Sequence, residues 1–390
     1  MEPRTDQILF CLLRSAICGT KLKVSERACV SEDRLSQLIA ISKKHDIVHL
    51  LELGLQNNGL TSKADVGIQK SMLMAAYRYE HMNYVYVDLC ETLESSRIPF
   101  IPLKGSILRN YYPEAWMRTS CDIDILIHQE DLENTISILT EKCGYAYQGK
   151  GSHDVSLTAP NKVHIELHYN LMEDGRINKS SEVLQSVWAT AVIREGYSYW
   201  YEMPDEMFYF YHIAHMAKHF ESGGCGIRPF IDLWILENLE TANPSKRAEL
   251  IRRGNLEKFA EAAVKLSRIW FEDEEKDAAS ARLEAFIVCG GVYGTLNNTA
   301  MVKAAQGESK MQNLVKLIFL PKRNLEKIYP NLEKYPILFP CYQVMRWFRI
   351  INKDKREKIK YLTYIRNSVS NEDIDLTAGL LAHLGLAESH

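Results

Sequence analysis

Three carboxylates carry the chemistry in this sequence. Asp122-Ile123-Asp124 opens a stretch, Cys121 to Ile127, in which apolar and acidic residues alternate. Alternation with period two is a strand with one buried face, so Asp122 and Asp124 share the face opposite Ile123, Ile125 and Ile127. Two carboxylates held this close repel each other unless a cation lies between them. Hard oxygen donors of this kind suit Mg²⁺ or Mn²⁺ better than zinc. The third carboxylate is Glu166, in Val163-His164-Ile165-Glu166-Leu167-His168, another alternating segment. Its polar face also carries His164 and His168. Asp122, Asp124 and Glu166 are therefore the expected metal ligands and catalytic residues.

Anion-binding groups precede them. Lys104-Gly105-Ser106 stands where a short strand, Ile98 to Leu103, gives way to a helix. A glycine there lets backbone approach a phosphate, and a following helix start favours anions. Ser106 adds a hydroxyl and Lys104 a charge. Arg118 could reach phosphate oxygens in a planar fork. Further along, His212, His215 and His219 lie on one expected helix, and the i, i+4 spacing of His215 and His219 allows metal binding, phosphate or acceptor contact, or ordinary packing. Arg228 and Asp232 are four apart and could pair on a helix face. Gly223-Gly224-Cys225-Gly226 before them reads as a helix connection, with a lid as the alternative. Cys121 reads as a small core residue rather than a nucleophile.

These residues need a small α/β unit to position them. The flanks are helical. Ile8, Leu9, Leu12 and Leu13, and later Leu35, Leu38 and Ile39, recur at helical spacing, and Ser62 to Ser95 predicts one or two long helices. Asp131 to Cys143 predicts a helix closed by Gly144. Val155–Thr158 and Val163–Leu167 predict strands joined by a turn at Ala159-Pro160-Asn161-Lys162. Pro99 and Pro102 weaken the first strand, because proline cannot donate to a ladder. The expected fold is α+β, a small mixed β-sheet core over 98–200 between an N-terminal helical region, 1–97, and a C-terminal helical domain, 201–390.

The combination Pro-Leu-Lys-Gly-Ser, Asp-Ile-Asp-Ile-Leu-Ile and His-Ile-Glu-Leu-His resembles the polymerase-β-type nucleotidyltransferase superfamily, and within it a bacterial branch of uncharacterised nucleotidyltransferases. His215 and Arg228-Pro229-Phe230-Ile231-Asp232-Leu233 extend the likeness. It covers residues 98–240 most strongly. The resemblance implies that Asp122 and Asp124 bind metals bridging a nucleoside triphosphate. It implies that Glu166 completes the site and serves the acceptor, and that Gly105 and Ser106 hold the β- and γ-phosphates. His168, His215, Arg228 and Asp232 would frame the pocket. Position 104 departs from the superfamily, which often has glycine there. The implied reaction moves a nucleotidyl group, AMP or another NMP, from an NTP such as ATP to a small molecule or protein, with release of pyrophosphate. A nucleotide-sugar-dependent transferase using the same DxD, or a nucleotide-binding regulatory module, are the alternatives.

Composition narrows the partners. A net charge of −3 over 390 residues argues against a nucleic-acid substrate. Nine cysteines, scattered and without a CxxC pair, argue against a disulfide framework or zinc ribbon and for a reducing compartment. Arg14 interrupts the N-terminal apolar stretch, which reads as an amphipathic helix rather than a signal peptide. No apolar run reaches the ~20 residues that span a bilayer. The expected location is the cytoplasm. The segment 321–360, basic and carrying Trp347 and Phe348, reads as a solvated helix face with buried aromatics, or as a contact for a membrane surface or partner.

Overall fold

The computed structural model describes residues 4–60, 66–171, 179–292, 294–306, 319–320, 322–329, 331–350 and 370–387. The N-terminal region is helical: α1 (Thr5–Cys18), α2 (Glu32–Lys44), α3 (Val48–Asn57) and the long α4 (Ser71–Ser95). The α/β unit follows, with β1 (Phe100–Pro102), a single helical turn α5 (Gly105–Leu108), β2 (Asp122–Ile127), α6 (Leu132–Ser137), β3 (Ala146–Lys150), β4 (Asp154–Thr158) and β5 (His164–His168). A two-residue hairpin, β6 (Val192–Ile193) and β7 (Tyr201–Glu202), leads into α7 (Asp205–Ser222), α8 (Arg228–Glu237), α9 (Glu257–Glu272) and α10 (Ala278–Cys289). The fold is α+β, as expected.

The five-stranded sheet runs β1-β2-β5-β4-β3. Only β2 and β5 are parallel, and their register sets Asp124 opposite Glu166. Strand β1 sits at the edge, where Pro102 costs no central ladder bond. The helix expected over Asp131–Cys143 ends in a π-helical turn over Ile138–Lys142, and Gly144 follows at φ 72°.

Each sheet face has its own core. Ile123, Ile125, Ile127, Val155, Leu157, Ile165 and Leu167 pack with Met82, Val85, Leu89 and Leu93 of α4 and Leu132 of α6. Full burial of each isoleucine contributes about 1.5–3 kcal/mol, which pins the strand register. On the opposite face Ile101, Leu103 and Leu126 join a larger cluster that includes Met207, Phe210 and Tyr211 of α7 and residues of α1, α3, α8 and α9. Helices from both ends of the chain thus cover the face that bears the carboxylates.

His45, which ends α2, braces this assembly. The Ile227 backbone N–H donates to its Nδ1 at 3.3 Å, which fixes the proton on Nε2, 3.4 Å from the Val288 carbonyl. His49 Nε2 lies 2.8 Å from the Met117 carbonyl. Burial pushes both imidazoles down to about 4. The unfolded chain therefore takes up these protons first as pH falls below the ordinary histidine value near 6.5. Their contribution is complete above that value and is lost toward pH 4. The two together are expected to remove roughly 3 kcal/mol of unfolding free energy between pH 7 and 5.5. Urea titrations at both pH values check this. His49→Gln, whose amide can still donate to Met117, should reduce the loss by about 1–1.5 kcal/mol, and a loss unchanged by that substitution would contradict the assignment.

Candidate active site

Asp124 is the buried centre of the site, 2% exposed, whereas Asp122 at the mouth of the same strand is half-buried. Two basic groups reach one Asp124 oxygen. Lys104 Nζ and His168 Nε2 each lie 2.8 Å from Oδ1. His168 Nε2 is also 3.4 Å from Glu166 Oε2, and His164 Nε2 is 3.5 Å from Glu166 Oε1. Ligand atoms of Asp124, Glu166 and His168 all fall within 4.8 Å of one another, the one such group among the described residues. Asp122 stands outside that trio.

The electrostatics follow from these contacts. Burial disfavours a charged Asp124, but Lys104 and the His168 hydrogen bond outweigh it and hold the carboxyl far below its usual range. Burial, reinforced by Asp124, pushes Asp122 up to about 6. Protonation of Asp122 as pH falls through that value favours the folded state and offsets part of the histidine effect. His168 is raised: burial lowers it, and hydrogen bonds to Asp124 and Glu166 prevail. Lys104 is raised as well, because Asp124 outweighs its burial.

Lys104 holds its place under backbone strain. Its φ of 43° and ψ of −119° belong to a region that glycine enters freely, and another residue there costs about 1–3 kcal/mol. Its side chain supplies a cation against Asp124.

Gly105 is required by packing. A Cβ there would lie 2.2 Å from Ser120 Oγ and 3.3 Å from Arg118 Nη1. The Ser106 backbone N–H is spent on the Leu103 carbonyl at 3.2 Å, but its hydroxyl, buried, has no hydrogen-bond partner among the described residues.

Arg118 and the α8 pair are arranged differently from the pairing that their spacing suggested. Arg118 donates to Asp232 from Nε at 2.9 Å and from Nη2 at 2.9 Å, and its Nη1 donates to the Thr119 carbonyl at 2.8 Å. Tyr112 donates to the same Asp232 Oδ1 at 2.6 Å. Arg228 pairs instead with Asp46 at 2.8 Å. The i, i+4 ion pair of Arg228 and Asp232 is thus replaced by two long-range pairs. The cause is burial: Asp232 is 0% exposed and faces the loop before β2, not the α8 surface. These pairs tie α8 to the Gly105 turn and to the end of α2.

Helix α7 brings the expected histidines. His212 is buried with Nε2 2.9 Å from the Pro229 carbonyl, a packing role. His215 lies near Lys104 and Asp124, and burial first, then Lys104, keeps it neutral. Its ring meets that of His219 edge-on at 4.5 Å. Lys218 Nζ comes within 3.4 Å of His153 Nε2, and the His153 ring lies 5.7 Å from that of His168. His153 and Lys218 were not legible as site residues, since neither stands in a motif. The glycine connection is no lid. A Cβ on Gly223 would lie 2.5 Å from Thr299 Oγ1, and the Gly226 N–H donates to the Val292 carbonyl at 3.1 Å, so the segment is clamped. Cys121 is exposed, not in the core, because it precedes the point at which β2 enters the sheet.

The fold is an α+β one in which a small mixed sheet presents carboxylates from two adjacent parallel strands beside a glycine-serine turn. The chain belongs to the family described as uncharacterised nucleotidyltransferase, whose model matches residues 31–272. That match reaches beyond the sheet into α2–α4 and α8–α9, the helices that brace the site. No curated protein and no solved structure matches the chain.

Proposed function

We propose that the chain transfers an NMP unit from a nucleoside triphosphate to a hydroxyl or phosphate of a small-molecule or protein acceptor, in a reaction that requires Mg²⁺ or Mn²⁺. The observation that carries this reading is the Asp124–Glu166 register pair, with Asp122 and His168 beside it. Lys104 and His168 offset the charge of Asp124, and the carboxylate oxygens of Glu166 and Asp122 beside it make a donor set that fits a divalent ion. When bound, such an ion would supply charge neutralisation on the triphosphate and polarise its phosphoryl oxygens.

The chain's own groups do the rest. Asp124 and Glu166 would hold the ion, with Asp122 able to join them from the mouth of β2. Lys104 offers an ammonium for phosphate oxygens, and the unpartnered Ser106 hydroxyl a donor. Glu166, more exposed than Asp124, can accept the proton of an acceptor hydroxyl. The acceptor oxygen then bonds to the α-phosphorus as the bond to the pyrophosphate oxygen breaks, and pyrophosphate carries away the electron pair. Positioning and electrostatics dominate such chemistry. Arg118 stays structural in this account.

Incubation with NTPs labelled separately at the α- and γ-phosphates, in a pool of small-molecule and protein acceptors, tests the proposal. Transfer of the α label with release of pyrophosphate is expected. Transfer of the γ label, or transfer of the sugar from a labelled nucleotide-sugar supplied in a parallel incubation, would replace the reading with a kinase-like or glycosyl transfer.

A further inference from the structure

We propose that His168 is itself a ligand of the site's cation, and that the site consequently selects a first-row transition ion over Mg²⁺. This rests on the metal-dependent reading above and adds the identity of a ligand and of the ion. Its basis is geometric. Nε2 of His168 lies 2.8 Å from Asp124 Oδ1 and 3.4 Å from Glu166 Oε2. Adjacent ligands around an octahedral ion with bonds of about 2.1 Å stand about 3.0 Å apart, so the three groups, hydrogen-bonded to one another without the ion, need move little to surround one. Asp122, the expected partner of Asp124, lies outside this group of ligand atoms. The imidazole takes the third place.

The ring is also unusually committed to this place. His168 is 3% exposed, and its Nδ1 has no hydrogen-bond partner among the described residues. The two carboxylates that would share the ion are the polar groups that orient it. An imidazole nitrogen in place of a carboxylate oxygen shifts preference from Mg²⁺ toward softer divalent ions. Chain position explains how it arrives: His168 is two residues beyond Glu166 on β5, so both side chains leave the sheet on the same face.

Mn²⁺ is the probe, because it is paramagnetic. Calorimetry with Mn²⁺ alone and Mg²⁺ alone on the full chain gives the affinities, and electron spin-echo modulation reads any nitrogen bonded to Mn²⁺. Mn²⁺ is expected to bind at least ~10-fold more tightly than Mg²⁺, with one directly bound nitrogen. In His168→Gln the nitrogen signal should vanish and Mn²⁺ affinity fall by ~10-fold, with Mg²⁺ affinity changed less than ~3-fold. His164→Gln, altered on the same face but farther from Asp124, should keep the signal. A Mn²⁺ complex of the unaltered chain that lacks nitrogen modulation, or a signal that persists in His168→Gln, overturns the proposal and leaves the nucleotidyltransferase reading standing. Binding of Mg²⁺ without Mn²⁺ overturns the proposal alone, and absence of binding of either ion overturns both.

Discussion

Asp124→Asn is expected to lower kcat/KM for nucleotidyl transfer by about 10³-fold or more, equivalent to roughly 4 kcal/mol of transition-state stabilisation. The substitution keeps the shape of the side chain and removes the charge that Lys104, His168 and the cation share. The fold should survive. Lys104 still faces Asp122, which also favours its charged form, so the ammonium is not left alone. Thermal unfolding should therefore move by only a few degrees while steady-state turnover collapses. Activity within ~10-fold of the unaltered chain would mean that the chemistry is centred elsewhere.

Arg118→Met is expected to do the reverse, costing about 3–5 kcal/mol of unfolding free energy. Asp232 is buried and takes two hydrogen bonds from the Arg118 guanidinium, with Tyr112 as a further donor. Removal of the cation leaves a buried carboxylate that one phenol cannot compensate. The Gly105 turn, packed against Arg118 Nη1, would loosen with it. Urea unfolding of Arg118→Met, Asp232→Asn and the double variant should give a coupling energy above ~1 kcal/mol. If Arg118→Met were as stable as the parent but bound NTP weakly, Arg118 would be a phosphate ligand, as its distance from the DxD in sequence suggests.

What the sequence showed and what it concealed divide along physical lines. The β2 alternation was legible because a period of two with isoleucine on one side has few other solutions. The β4–β5 turn was legible from Pro160-Asn161, and the structure closes it with Lys162 at φ 72°. Strand β3, Ala146-Tyr147-Gln148-Gly149-Lys150, was not legible: it is a mostly exposed edge strand with no apolar face to write a pattern. The hairpin of β6 and β7 is too short to leave one. Asp122, Asp124 and Glu166 could be singled out by type and spacing, and the strand register sets Asp124 opposite Glu166. The His168–Asp124 contact was not, because it depends on the parallel pairing of β2 with β5, which no local pattern reveals. The same is true of Arg118 with Asp232 and Arg228 with Asp46, where long-range burial overrides the local i, i+4 pairing. Lys104 breaks a local rule: a lysine sits where glycine would be unstrained, and its ammonium pairs with buried Asp124.

Among the described residues no helix is long and apolar enough to cross a membrane. In the segment 321–360, Trp347 packs edge-on against Phe319 at 5.4 Å, and residues 351–360 lie outside the described residues.

The central claim, a divalent-metal and NTP site built on Asp122, Asp124 and Glu166, is tested most directly by calorimetric titration of each common NTP into the full chain. The titrations would be run with Mg²⁺, with Mn²⁺ and with chelator, and repeated on Asp122→Asn/Asp124→Asn. The account predicts that at least one NTP binds with a metal, does not bind with chelator, and is lost in the double variant. NTP binding that is indifferent to metal and to both substitutions, or no binding under any of these conditions, would contradict it.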